Sequence, residues 1–269
     1  MNKFFKYIGL ISILLVSFYY TDKLSYIVNN NSRLVSEIND NKNKYNIESV
    51  SALIDGDYII PGLNGYAVNV LKSYDKMKYL DSFNSYYLEY DIIKPSISLE
   101  NNKEKIIKYG NKKKNEISII IKDNKDIIDY INRYKINITR VVDINTIDIN
   151  NYYEQINGDI NNYRKVESIL NRNNINKNIC IIDNYIKDIC IENNKYLVEA
   201  SIILNNYNIS NIINGIKRGY IIYINDDVSI ENFKLLLKEI NYKYISIVYL
   251  SNMISEERDW FFSLFLVKY

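Results

Sequence analysis

The chain has 269 residues, enough for one full domain and a small second one, and its apolar content of 47% excludes a wholly disordered protein. Its 34 basic and 32 acidic residues give a formal charge of +2, so no strong field points to a nucleic-acid partner. The chain contains no histidine. The absence of an imidazole excludes Ser-His and Cys-His nucleophilic pairs and histidine-based zinc sites.

The N-terminal segment predicts a transmembrane anchor over residues 1–21. Lys3 and Lys6 precede an apolar stretch that runs to Tyr20, and such a stretch spans roughly 25 Å as a helix, just short of an average bilayer core. Lysines on its N-terminal side predict that the rest of the chain lies outside the cell membrane. A cleaved signal peptide is the alternative. Because cleavage requires small residues and the stretch ends in bulky Phe18-Tyr19-Tyr20, the pattern favours a single-pass anchor that is not cleaved.

Two segments precede the largest predicted domain. Residues 22–49 predict either a stalk helix, since Leu34 and Ile38 have helical spacing, or a flexible linker. Residues 50–110 predict a small α+β module, in which strands flank the turn at Gly56, Val70–Tyr79 forms a helix and Tyr86–Ile93 forms a further strand.

From residue 111 to residue 269 strands and helices alternate. The predicted strands are Ile117–Ile121, Ile138–Val142, Asn178–Ile182, Tyr196–Leu204, Tyr220–Ile224 and Tyr244–Tyr249. Amphipathic helices separate them, and Asn124 is suited to cap the first. Strands that are apolar on both faces and alternate with such helices predict a parallel α/β sheet or barrel. About six such units favour an incomplete (β/α) barrel over an eightfold one. The apolar tail Trp260–Val267 is predicted to dock on the domain.

Three polar or reactive clusters each have two interpretations. Lys112-Lys113-Lys114 is a solvated turn or a contact for an anionic wall polymer or lipid headgroup. Cys180 and Cys190 form a disulfide outside the membrane or are two small buried residues. Asp226-Asp227 follows a predicted strand, where it is a solvated or helix-capping loop before Ser229 or a weak acid/base pair.

Several segments share the pattern of one known family. In the first half they are Tyr58–Gly65, Lys72–Met77 and Ile92–Pro95; in the second half they are Ile117–Asn124, Ile127–Val142, Lys217–Asn225 and Tyr242–Leu250. Over about 200 residues the chain thus resembles polysaccharide deacetylase-like proteins (NodB homology, carbohydrate esterase type) of low-GC Gram-positive bacteria. The resemblance implies an incomplete (β/α) barrel of the NodB-like type.

The resemblance also implies that the catalytic groups are lost. Active members hold a divalent metal with one aspartate and two histidines, use a second aspartate as base and use a late histidine as acid. On this sequence the base position falls on Lys122, the metal aspartate on Asp123, the two histidines near Tyr163 and Glu167, and the late histidine on Asn225. A lysine cation cannot accept a proton at neutral pH without a large pKa shift, and one or two carboxylates make a poor zinc site. No catalytic, cofactor or metal-binding residue is therefore predicted.

Three functions remain open at this stage. The first is a membrane-anchored extracytoplasmic pseudoenzyme, a deacetylase-like domain that binds cell-wall glycan or a partner protein. The second is an active metal-dependent deacetylase whose site is rebuilt from carboxylates such as Asp123, Glu167 and Asp227. The third is a purely structural, single-pass protein of the cell envelope. No nucleic-acid partner is predicted for any of them.

Overall fold

The computed structural model describes residues 7, 8, 10–20, 32–150, 153–182 and 187–258. Residues 7, 8 and 10–20 are helical and exposed. Across these described ranges, no helix is both long enough and apolar enough to cross a membrane. The rest of the predicted anchor, residues 22–31 of the predicted stalk and the tail Trp260–Val267 lie outside the described residues. The transmembrane helix therefore stays a prediction.

The regular elements are labelled here in chain order. The strands are β1 (Leu53–Asp55), β2 (Tyr58–Ile60), β3 (Gly65–Val68), β4 (Tyr90–Ile93), β5 (Ile106–Ile107), β6 (Glu116–Ile121), β7 (Thr139–Val142), β8 (Glu154–Asn157), β9 (Ile179–Ile181), β10 (Tyr196–Val198), β11 (Ile202–Leu204), β12 (Ile221–Ile224) and β13 (Ser246–Val248). The helices are α1 (Arg33–Tyr45), α2 (Val70–Met77), α3 (Lys125–Tyr134), α4 (Tyr163–Arg172), α5 (Lys187–Glu192), α6 (Ile209–Ile212), α7 (Ile230–Tyr242) and α8 (Leu250–Ile254). Short 3₁₀ turns occupy Ser85–Tyr87, Glu100–Asn102 and Ile213–Gly215.

The chain forms two compact units, and the first combines α1 with Gly65–Ile93. In this unit β3 and β4 form an antiparallel pair. Its core contains Leu34, Ile38, Val68, Met77 and Leu88. The predicted stalk residues Leu34 and Ile38 are thus on a helix, but they are buried in a core. The predicted module 50–110 is divided, because Val50–Asn64 and the chain from Lys94 belong to the second unit.

The second unit contains a parallel barrel. One sheet has the order β11-β12-β6-β7-β8, with β13 beside the first half of β6, and another contains β5, β10 and β9. An isolated parallel bridge between Gln155 and Asn176 joins the region of β8 to that of β9. The predicted strand Tyr196–Leu204 is broken into β10, which pairs with β9, and β11, which pairs with β12. The strands thereby close in the order β6, β7, β8, β9, β10–β11 and β12, as expected for a small (β/α) barrel.

Alternate residues of the strands face two different cores. Inside the barrel a cluster is formed by residues of six strands, Ile120, Val141, Ile156, Ile179, Val198 and Ile221. On the outside Ile117, Ile119 and Ile121 pack in a second cluster against α3 and α7. The central strand β6 is buried along its whole length, which explains why its sequence is an almost continuous apolar run.

A short helix closes the amino-terminal end of the barrel. Leu250, Met253 and Ile254 of α8 belong to the interior cluster. The Leu250 amide donates to Thr139 Oγ1 at 2.9 Å, and the Ser251 amide donates to Glu154 Oε1 at 3.1 Å. Thr139 Oγ1 in turn donates to Glu154 Oε1 at 2.8 Å. The first side chains of β7 and β8 thus satisfy the free amides at the start of α8.

Two loops at the same end of the barrel meet through glycines. The Gly110 amide donates to the Gly219 carbonyl at 2.9 Å, and the Gly219 amide donates to the Glu116 carbonyl at 2.8 Å. Gly219 has a φ of +87°, and a Cβ there would lie 2.8 Å from the Gly110 carbonyl oxygen. Both the backbone conformation and the close approach therefore require glycine.

The substitution Gly219→Ala is expected to lower the free energy of unfolding by about 1–3 kcal/mol, since it combines a strained φ with a backbone clash. Urea unfolding of the full chain in a neutral detergent measures the change. Gly215→Ala is the matched control, because no atom lies within 4 Å of its added Cβ. Equal stabilities of the two variants would contradict the close approach.

Candidate functional site

A polar cleft lies at the carboxyl ends of β6, β7 and β8, the end at which barrel proteins place their active sites. Its volume is about 340 Å³. The residues that line it follow directly from these strands: Lys122, Asp143, Ile144, Asn145, Gly158, Asp159, Ile160, Asn161 and Asn162. Lys122 is the predicted base position, so the structure places it in a cleft of the expected kind.

Asp143, after β7, is held by its own loop. One carboxylate oxygen accepts hydrogen bonds from the amides of Asn145 at 2.8 Å and Thr146 at 2.9 Å, and from Thr146 Oγ1 at 3.1 Å. The Asn145 amide is the main cause that holds the pKa of Asp143 below its usual range, against the effect of partial burial. The carboxylate is therefore ionised at neutral pH and satisfied by the loop.

Asp159, after β8, joins two loops of the cleft. It is only 9% exposed, and its two carboxylate oxygens accept the amides of Asn162 at 2.8 Å and Ile144 at 3.1 Å. Burial alone would raise the pKa of Asp159, but the hydrogen bonds from Asn162 and Ile144 outweigh it and lower the pKa. The sequence did not single out Asp143 or Asp159.

The predicted metal aspartate, Asp123, is exposed beside Lys122. Its amide donates to Asp226 Oδ1 at 3.3 Å. Asn124 caps α3 as predicted, because its Oδ1 accepts the Ile127 amide at 3.2 Å. The Asn124 side-chain amide also donates to the carbonyls of Asp226 and Val228. The loops after β6 and β12 are thus fastened together.

Asp226 and Asp227 accept hydrogen bonds within neighbouring loops, in agreement with their interpretation as loop residues rather than as an acid/base pair. Asp227 accepts the Asn206 amide at 3.2 Å, as Asp226 accepts that of Asp123. The cap of α7 is Ser229, whose side chain accepts the Asn232 amide. Asn225 is the position at which the resemblance places the late histidine. Its backbone amide donates to the Leu204 carbonyl at 2.9 Å.

Tyr163 and Glu167 lie on α4, in the outer layer of the barrel. Tyr163 is buried in a cluster with Cys180 and Cys190, and burial, with the nearby Glu167 carboxylate, raises its pKa. Glu167 pairs with Lys195 at 2.7 Å, where the two side chains are 14% and 5% exposed. The structure thus places Glu167 in a buried ion pair.

The carboxylates that would rebuild a metal site do not converge. In the part of the chain that the structure describes, no three His, Cys, Asp or Glu residues lie close enough to hold a metal ion. Of the three residues named above as ligands of such a site, Asp227 accepts the Asn206 amide and Glu167 pairs with Lys195, while Asp123 is exposed and joins the loop through its backbone amide. This arrangement does not favour a zinc site, which needs three or four converging ligands.

Cys180 on β9 and Cys190 on α5 form a disulfide, with Cα atoms 6.0 Å apart. Both residues are buried in the cluster that also contains Tyr163. Of the two interpretations of these cysteines, the structure selects the disulfide. It links the middle of the barrel strand β9 to α5, the next helix along the chain.

Comparison with known proteins supports the fold. No family model matches the sequence, and no curated protein matches it. Among solved structures, a wild-type CE4 family pseudoenzyme from Bacillus anthracis matches with a TM-score of 0.59 and 16% identity, over 84% of this chain and 96% of that chain. A mutant of that protein, described as having restored enzymatic activity, matches with a TM-score of 0.58 and 16% identity, over 84% and 99% of the two chains. The chain therefore has the α/β fold of the CE4, NodB-like deacetylase domain, as the resemblance implied.

The ion pair of Glu167 and Lys195 generates a stability prediction. Removing one partner leaves a buried charge, so Glu167→Leu and Lys195→Met are each expected to lower the free energy of unfolding by about 3–5 kcal/mol. The double variant should lose less than the two changes summed, since neither charge is left alone. Urea unfolding of the two single variants and of the double variant measures these losses and completes a double-mutant cycle.

The exposed pair Lys94–Glu100 is the control, because its side chains are 67% and 59% exposed. Its single variants should leave the free energy of unfolding almost unchanged, because solvent screens an exposed pair. If the double variant loses as much free energy of unfolding as Glu167→Leu and Lys195→Met lose in sum, the two charges do not stabilise each other.

Proposed function

We propose that this chain is a membrane-anchored, extracytoplasmic pseudoenzyme whose deacetylase-like barrel binds cell-wall glycan without hydrolysing it. The observation that carries the proposal is the combination of a retained barrel with Lys122 and Asn225 at the positions where the resemblance expects a base and an acid. The first is a cation and the second an amide, so neither supplies the proton transfer that the resemblance expects of its position.

The remaining carboxylates do not replace these groups. Asp143 and Asp159 accept amide hydrogens that hold their pKa low, and a general base works best with a pKa near the working pH. Asp123, Asp226 and Asp227 lie in the loops described above. A solved structure with this fold is itself described as a pseudoenzyme, which agrees with a barrel that has kept its scaffold after losing its chemistry.

A glycan is the ligand that best fits the cleft. Asn145 and Asn161 are exposed in its lining, and their side-chain amides can donate to and accept from sugar hydroxyls. Uncharged, hydroxyl-rich chains match this lining better than an apolar ligand does, since the polar walls would otherwise lose hydrogen bonds to water.

Two observations support a location outside the membrane. The disulfide between Cys180 and Cys190 is typical of oxidising compartments. The lysines before the apolar N-terminal stretch predict that the chain beyond it is translocated. Together they favour a barrel that faces the cell wall, attached through residues 1–21.

Glycan binding is tested with the full chain in neutral detergent and a chitin oligosaccharide, by calorimetry and by acetate release with added zinc or manganese. We expect binding without acetate release. Asn145→Ala combined with Asn161→Ala should weaken binding about tenfold, because two hydrogen bonds of about 0.5–1.5 kcal/mol each are lost. Asn101→Ala combined with Asn173→Ala, two exposed residues outside the cleft, is the control.

Each contrary result has a distinct meaning. Metal-dependent acetate release would show an active deacetylase and overturn the loss of catalysis. An oligosaccharide that fails to bind would overturn the glycan part and favour a partner protein or a purely structural role. Equal weakening by the Asn101 and Asn173 changes would remove the cleft as the binding site.

The disulfide has its own expected outcome. Replacing both Cys180 and Cys190 by alanine should lower the free energy of unfolding by about 3 kcal/mol, as the loop-entropy relation gives for a short closed loop. Urea unfolding of the oxidised protein and of the variant measures the difference. A thiol-alkylation assay on protein taken from cells must find both thiols blocked; free thiols there would contradict an oxidising location.

A further inference from the structure

Three loops converge at the amino-terminal end of the barrel, opposite the cleft. They precede β6, β12 and β13. The Gly110–Gly219 hydrogen bond joins the first two. The Asn115 side-chain amide donates to the Tyr244 carbonyl at 2.5 Å, and the Ser246 amide donates to the Asn115 carbonyl at 2.9 Å, which joins the first and the third. The three loops therefore form one continuous surface.

Four cations and Tyr244 are exposed on these loops, and Tyr242, the last residue of α7, is exposed beside them. We call Lys112, Lys113, Lys217, Arg218, Tyr242 and Tyr244 the amino-terminal basic surface. Within the described ranges none of its four cations forms an ion pair. Tyr242 and Tyr244 are 78% and 86% exposed. The surface is positive although the whole chain has a charge of only +2.

The neighbouring charges do not cancel this surface. Lys114, the third lysine of the run in the sequence, is buried, donates to the Asn252 carbonyl at 2.7 Å and lies 3.9 Å from Glu116, which is itself buried. Lys243 pairs with Glu239 at 3.1 Å. Each of these acidic groups thus has a cation of its own. The four exposed cations keep their full charge toward solvent.

Complementarity to helix dipoles does not explain these cations. Basic residues are favoured in the last turn of a helix, where the dipole is negative. Lys112 and Lys113 follow β5 and a loop, while Lys217 and Arg218 lie beyond the end of the short helix α6 and the 3₁₀ turn Ile213–Gly215 that continues it. Four cations therefore lie on one surface, and none of the described helix ends accounts for their position.

We propose that the amino-terminal basic surface binds a linear polymer that carries phosphate groups. Lysine and arginine form strong, charge-assisted hydrogen bonds with phosphate, and adjacent loops offer a row of such groups to an extended chain. Among the described residues of these loops the exposed apolar side chain is a tyrosine and no Phe, Trp, Leu or Ile is exposed, so the surface suits a soluble polymer better than insertion into a bilayer. The proposal is independent of glycan binding, because it concerns the opposite end of the barrel and a charged ligand.

The test uses the full chain in neutral detergent and inorganic polyphosphate as the probe, with affinity measured by fluorescence anisotropy over a range of salt concentrations. Lys217→Glu combined with Arg218→Glu should weaken binding at least tenfold. The slope of log affinity against log salt should fall by about 1 for each cation removed that contacts a phosphate. Adding Lys112→Glu and Lys113→Glu should abolish binding.

Lys125→Glu combined with Lys187→Glu is the matched control, since both lysines are exposed at the first residues of α3 and α5, at the other end of the barrel, and the change in net charge is the same. It should leave most of the affinity intact. No binding by the unaltered chain, or an equal loss in the control, would overturn the proposal. So would a preference for anionic lipid vesicles over polyphosphate of equal charge.

Discussion

The closure of the barrel by α8 is the constraint on which the second unit depends. Thr139 and Glu154 cap this helix with hydrogen-bonding groups from the first residues of β7 and β8, and its apolar residues complete the interior cluster. An interior that is filled with side chains has no room for a ligand. The interior is therefore not a ligand cavity, and the polar cleft lies at an end of the barrel, where loops replace packed strands.

Most of the strands could be predicted from the sequence, because a strand that is buried on both faces consists of a continuous run of apolar residues. It missed β8, whose sequence Glu154-Gln-Ile-Asn157 looks like a polar loop. That strand is buried with polar groups that have partners in the fold: Glu154 Oε1 meets Thr139 and α8, and the Asn157 side-chain amide donates to the Tyr163 carbonyl. The contact with α8 joins residues that are 97 positions apart in the sequence, which a local pattern cannot reveal. The short α8 was missed for the same reason.

Two long predicted strands were wrong in part and show the same limit. Tyr86–Ile93 is a strand only at Tyr90–Ile93, because its first residues belong to the 3₁₀ turn Ser85–Tyr87. Tyr196–Leu204 reads as a single apolar run, yet it turns at Glu199 and Ser201. Glu199 pairs with Lys108 at 2.6 Å, and Ser201 Oγ exchanges hydrogen bonds with the Ile221 backbone. At the cleft, the position of Lys122 could be predicted because this residue directly follows β6, a strand that the sequence revealed. Asp159 could not be found, because it follows the strand that was missed.

The central strand has a consequence for how the chain reaches this structure. Residues 116–121 of β6 pair with strands that lie more than a hundred residues later in the sequence. Ser118 is opposite Ile221 in β12, and Ile117 is opposite Ile247 in β13. Loop closure over such distances is slow. A chain emerging from the ribosome cannot complete its isoleucine-rich centre until almost all of it has been made, and until then that segment is open to wrong pairing. Folding of the barrel is therefore a late step, which follows the synthesis of almost the whole chain.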